Sequence, residues 1–228
     1  MAELLENVKQ RLSDKSGFEF ELIINENSSN MLAVLDKRDK WAKLSLHKMF
    51  LEAPESVITA VATYVKKKDS SAFAVIRSYI HSNLPRFDYS HRLDARTLYT
   101  NGKVYHLQKV YDEINKKYFE SKVKLWITWF DRLPKKNCSR IVFGQYFEAL
   151  KLIKINKMLD DRSFPRYFID YVVYHEILHH VVPSYIDEKG VARVHSKEFK
   201  ERELIFKDYH RAKAWELEHR HQFFAEFN

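Results

Sequence analysis

The sequence is poor in the residues that many sites and scaffolds depend on: among 228 positions it has one cysteine, four glycines and five prolines. A single cysteine, Cys138, excludes an internal disulfide framework and any four-cysteine zinc ribbon within the chain, and it fits a reducing compartment. None of the glycines falls in a GxGxxG or GxxxxGK[ST] arrangement, which excludes nucleotide hydrolysis by a P-loop. No stretch approaches the roughly 18 uninterrupted apolar residues of a membrane span. The N-terminus, MAELLENVKQRLSDKSG, carries early acids and lacks a long apolar segment, so the expectation is a soluble, cytoplasmic protein without a membrane partner. Disorder is excluded by composition, since 45% of residues are hydrophobic and 14% aromatic.

Charge is present in excess of one sign. The formal net charge is +8, which permits attraction to nucleic acid or acidic surfaces without requiring it. Residues 1–100 hold 15 basic and 13 acidic residues, and residues 101–228 hold 24 and 18. The basic character therefore lies mostly in the second half.

Periodicity predicts an α+β protein in two parts. In the first, residues 2–12 read as a helix, followed by strands around Phe18–Ile24, Met31–Leu35 and Trp41–Leu46. Pro54 then opens a helix carrying Val57, Ile58, Val61, Ala62 and Val65, and another follows over Ser71–Ser82. Residues 83–103 contain Pro85, Asn101 and Gly102 with no sustained period, which places a domain boundary near residue 100. The domains expected are 1–100, of unknown role, and 101–228.

The second part reads as a helix bearing Leu107, Val110, Tyr111, Ile114 and Tyr118, then strands over Val123–Phe130, Arg140–Phe147 and Leu150–Ile155. Their short connections predict a small, mainly antiparallel three-stranded sheet. Ser163-Phe164-Pro165 starts an amphipathic helix that runs to about Val182, before Pro183, and a helical tail closes the chain. Residues 44–65 echo 153–176 as a strand, a Lys-Met pair, a proline and an apolar helix, but without the histidines of the second copy.

Those histidines lie in Tyr174-His175-Glu176-Ile177-Leu178-His179, an HExxH string. Positions i and i+4 share a helix face, so His175 and His179 can direct imidazole nitrogens at one ion. Glu176 follows the first histidine and can accept a proton from the attacking water and pass it to a leaving amine. His195, opening His195-Ser196-Lys197-Glu198-Phe199, is favoured as third ligand, with Glu198 and Glu201 as carboxylate alternatives. The longer HExxHxxGxxH pattern fails, because Val182 and Tyr185 stand at its last two marked positions. His180 should miss the metal, and His210, His219 and His221 read as solvated side chains on a charged helix.

Residues from about 104 to 205 resemble the SprT-like metallopeptidase domain: the helix LQKVYDEINKKYF, the strands VKLWITWF, IVFGQYF and LKLIKINKML, the helix YFIDYVVYHEILHH, and then HSKEF. The resemblance implies a zinc ion (Zn2+) held by His175, His179 and His195, with Glu176 as general acid/base. The YgjP-like minimal metallopeptidases share the downstream His-Ser-x-x-Phe. Two features depart from the family pattern: the zinc ribbon that many members carry has no cysteines here, and Ser196 stands where many have glycine. The resemblance leaves residues 1–100 unexplained.

The function expected is thus a zinc metallopeptidase acting on polypeptide substrates, with DNA-associated proteins as a substrate class by resemblance to the Spartan type. The alternative is a catalytically inactive metal-binding or nucleic-acid-binding module with the same fold. A DNA partner rests on Lys116, Lys117, Lys122, Lys124, Arg132, Lys135, Lys136 and Arg140 interleaved with Trp126, Trp129 and Phe130. Tyr185, Arg202, Tyr209 and His210 are the candidates for stabilising a transition state.

Overall fold

A computed structural model describes residues 1–27, 30–131, 141–187 and 192–219. Cys138, Arg132, Lys135, Lys136, Arg140 and His221 lie outside the described residues. The described chain is α+β, with seven α-helices and two three-stranded mixed sheets. No helix among the described residues is long and apolar enough to cross a membrane.

The chain forms two compact units, residues 1–87 with 185–193, and residues 88–184 with 194–228. The division falls before residue 100 because the intervening segment is hydrogen-bonded into the second unit. Tyr89 N–H donates to the Ala149 carbonyl, and Tyr99 N–H to the Thr128 hydroxyl. The buried Asp160 carboxylate accepts the backbone N–H groups of Lys103, Val104 and Tyr105. Such a cluster of amides satisfies a carboxylate that would otherwise be costly to bury. A Cβ on Gly102 would collide with that same carboxylate.

The first unit contains α1 (Ala2–Ser16), β1 (Glu19–Asn25), β2 (Leu32–Arg38), β3 (Trp41–His47), α2 (Glu55–Lys67) and α3 (Ser70–Asn83). Helix α1 stops at Gly17, whose φ of 71° is the left-handed conformation that glycine adopts without a steric penalty. In the sheet order β1-β3-β2, β1 is parallel and β2 antiparallel to the central β3. Leu12, Phe20, Leu44, Phe50 and Ile58 form its buried core. The short antiparallel pair β7 (Tyr185–Ile186) and β8 (Ala192–Arg193) groups with this unit.

The second unit contains α4 (Leu107–Phe119), β4 (Trp126–Phe130), β5 (Gly144–Phe147), β6 (Leu152–Asn156), α5 (Arg166–Val181), α6 (Lys197–Glu203) and α7 (Tyr209–His219). Its sheet order is β4-β6-β5, with β4 parallel to β6 and β5 antiparallel to it. The expectation of a mainly antiparallel sheet is therefore corrected to a mixed one. A tight turn makes β5 and β6 a hairpin, but the longer connection after β4 lets that strand pair along the other side of β6.

Helix α5 differs from the amphipathic helix expected. Pro165, with φ fixed near its N-cap value of −71°, starts it. Phe168, Ile169, Tyr171, Val172, Val173, Tyr174, Ile177 and Leu178 are then buried on several sides, as in a central helix. Tyr174 stacks on Phe119 and packs edge-on to Tyr118, while Phe168 packs against Trp215 of α7. These ring contacts fix the helix that carries the HExxH string.

Candidate metal centre

The two histidines on α5 converge as their spacing requires, with Nε2 of His175 and Nε2 of His179 separated by 3.2 Å. Two nitrogens on one tetrahedral zinc, each at about 2.0–2.1 Å, would lie roughly 3.3 Å apart. His195 comes from the segment before α6, and its ring centroid lies 5.1 Å from both of the others. Each of the three residues offers a ligand atom within 4.8 Å of the others, so the trio can hold a metal ion.

Phe199 is the wedge that organises these rings. It is fully buried on α6, and its ring lies 5.2, 4.8 and 4.8 Å from His175, His179 and His195. Burying such a side chain is worth roughly 1.5–3 kcal/mol. Ser196 caps the helix by accepting the Phe199 N–H at 3.1 Å, which fixes where α6 begins relative to His195.

The carboxylate that serves the site is Glu203, which the motif reading did not single out. One Oε1 accepts His175 Nδ1 at 2.7 Å and the Tyr171 hydroxyl at 2.6 Å. Because a carboxylate only accepts, His175 donates from Nδ1, which turns its Nε2 towards the other histidines. Burial acts to raise the Glu203 pKa, but the hydrogen bonds from His175 and Tyr171 outweigh it and hold the carboxyl below its ordinary value. Burial, and then the Glu203 bond, push the Tyr171 hydroxyl up, so it remains a donor. The signal for Glu203 was available: it follows the apolar Phe199 by one helical turn and so shares its inward face.

Glu198 and Glu201 are exposed and engaged within α6, with Arg202 at 2.8 Å and Lys197 at 3.7 Å respectively. The carboxylate alternatives for the third ligand therefore point to surface ion pairs. His180 pairs with the Tyr146 hydroxyl through Nδ1 at 2.8 Å. Of the proposed transition-state partners, Arg202 is held by Glu198, Tyr209 packs edge-on to Tyr171, and Tyr185 lies on β7. His210 is exposed beside Tyr209, and His219 stacks on Trp215.

Glu176 is only 5% exposed. Burial pushes its pKa up to about 7, although the neighbouring His175 and the Tyr146 backbone N–H act in the opposite direction. Burial, followed by the charges of His175 and His195, brings His179 down to about 3, so it is neutral at pH 7. Strand β5 passes close beside Glu176 at Gly144. A Cβ there would lie 2.5 Å from Glu176 Oε1 and 2.6 Å from its Cγ, so the close approach requires glycine.

The three histidines and Glu176 line one cleft of about 530 Å³, together with β5 residues and with Lys213 and Glu216 of α7. Lys213 and Glu216 form an ion pair at 2.6 Å. No protein-family model matches the chain, and no curated protein or solved structure matches it. The geometry of this cleft therefore carries the functional argument.

Proposed function

We propose that the protein is a zinc-dependent metallopeptidase. The observation that carries this reading is the pair of facing Nε2 atoms 3.2 Å apart, joined by His195 and backed by Glu203. Three histidines whose ring nitrogens converge in this way, with a free fourth position, are a donor set that suits catalytic zinc. A bound zinc ion would supply Lewis acidity to a carbonyl and make water more acidic.

The chain's own residues supply the rest. Glu176 is adjacent to a ligand and makes no ion pair with a lysine or arginine among the described residues. A pKa near neutrality lets it take a proton from water and return it to a leaving amine. Gly144 removes the side chain that would displace Glu176. Among the described residues β5 is an edge of its sheet, and it lines the cleft, so an extended polypeptide can pair with its backbone beside Glu176.

An inactive metal-binding module leaves the buried Glu176 without a purpose, since a structural site needs no general base. The test is elemental analysis of purified protein together with cleavage of an unfolded protein substrate. About one zinc per chain and cleavage lost on chelation are expected. His195→Ala should lose the metal whereas Glu198→Ala and Glu201→Ala keep it. The reading fails if the protein binds no zinc, or if His195→Ala keeps full occupancy.

A further inference from the structure

A second cleft of about 770 Å³ lies within the same unit, between α4, the segment leading into β4 and the turn before β6. Three lysines reach it from three separate segments: Lys116 on α4, Lys124 ahead of β4, and Lys151 in a left-handed backbone conformation before β6. None of the three makes an ion pair or a side-chain hydrogen bond among the described residues. Their neighbours are engaged, Lys122 with Glu120 and Lys117 over the Tyr118 ring. Two carboxylates share the cleft, and each already accepts a bond, Asp88 from the Ser90 N–H and Asp112 from Gln108. Three lysines against two carboxylates leave the lining a net charge of +1.

Its wall is aromatic. Trp126, the first residue of β4, is 44% exposed, whereas Trp129 on the same strand is buried and donates to the Thr100 carbonyl. The tryptophan that packs the core is thus distinct from the one that faces the cleft. An exposed indole among unpaired ammonium groups offers a π-face for a planar ring and cations for phosphate, which is the combination that binds nucleotide units.

We infer that this cleft binds a nucleotide unit, with the base stacked on Trp126 and its phosphate among Lys116, Lys124 and Lys151. The inference is independent of the metal centre, since none of these residues lines it. A free nucleotide and one residue of a single strand present the same chemistry.

The test measures binding of AMP and of a fluorescently labelled twelve-nucleotide oligo-dT strand to the full-length protein at several salt concentrations. Trp126→Ala should weaken binding about ten-fold or more, and Trp126→Phe should restore much of it. Changing Lys116, Lys124 and Lys151 together to Gln should flatten the log–log salt dependence for the strand by ~0.7 per lysine, about 2 in all. Zinc content should be unchanged in both sets of variants, because none of the altered side chains lines the metal centre. Binding of AMP would identify a free nucleotide as sufficient, and binding of the strand alone would identify a nucleic acid. The inference is overturned if neither probe binds at low salt or if the lysine variant binds as the parent does. Loss with the lysines but not with Trp126→Ala would also overturn it, leaving only a diffuse basic surface.

Discussion

The two units share one layout and differ in whether it carries chemistry. Each runs helix, three strands, a short 3-10 turn and a helix. In each sheet the last strand is central, with the first parallel to it and the second antiparallel. The turns after the central strands are capped alike: His47 Nδ1 accepts the Met49 N–H at 3.1 Å, and Asn156 Oδ1 accepts the Met158 N–H at 3.1 Å. Pro54 and Pro165 then occupy the N-cap of the following helix. Counted from those prolines, Tyr64 stands where His175 stands, Val65 where Glu176 stands, and Lys68 where His179 stands.

The difference teaches that the scaffold does not by itself make a site. Helix α2 has 13 residues and ends at Lys68 in a left-handed cap, before a second ligand could be presented; α5 has 16. Val65 is an ordinary buried aliphatic residue, and its counterpart Glu176 is a buried carboxyl, which costs stability where an aliphatic side chain adds to it. The first unit retains the packing pattern and spends the equivalent positions on its core.

The largest expected effect comes from exchanging that contrast at Glu176. Glu176→Gln should lower cleavage of an unfolded protein by about 10²–10⁴ while zinc content stays at the parent level. The matching change in the first unit, Val65→Ala, should cost about 0.5–3 kcal/mol in urea unfolding and leave zinc untouched. Unchanged cleavage by Glu176→Gln would remove this residue from the chemistry.

Glu203 tests whether the second unit differs by its ligands alone. Glu203→Gln should weaken zinc affinity about 10–100-fold in competition with a chelator, because His175 loses the acceptor that fixes its tautomer. Equal affinity would mean that the histidines need no orienting carboxylate.

A pH effect sharpens the Val65–Glu176 contrast in zinc-stripped protein. The folded-state pKa of Glu176 is raised from 4.5 to about 7, so folding favours the protonated form. Its contribution to stability is fully present below about pH 4.5 and is lost as pH rises through about 7. Glu176→Gln, which cannot ionise, should therefore melt higher than the parent at pH 8, and the gap should narrow towards pH 5. A gap that widens on acidification would contradict the sign.

The smallest effects concern the equivalence of the two turns. In His47→Ala and Asn156→Ala the lost cap should account for about 1 kcal/mol each, added to the packing that these buried side chains lose. A cost at Asn156 alone would break the correspondence between the units.

The sequence determined what short-range periodicity can encode. The α+β class, the helices from Leu107 and Pro165, and the i,i+4 placement of His175 and His179 all follow from local spacing, because helix geometry repeats over a few residues. The strand β3 and the helix α3 were legible for the same reason. Tertiary structure alone decided the order β4-β6-β5 and its parallel pair, since strand partners are chosen by packing across many residues. It also decided that His195 meets the other two histidines, that Glu203 and not Glu198 or Glu201 faces the site, and that Gly144 makes room for Glu176. It decided that Trp126 and not Trp129 is the exposed indole: alternation puts the two on opposite faces, but Ile127, Thr128 and Trp129 are all buried, so face alone does not predict exposure. Each of these depends on atoms distant in the chain and close in space, and no local period records such distances.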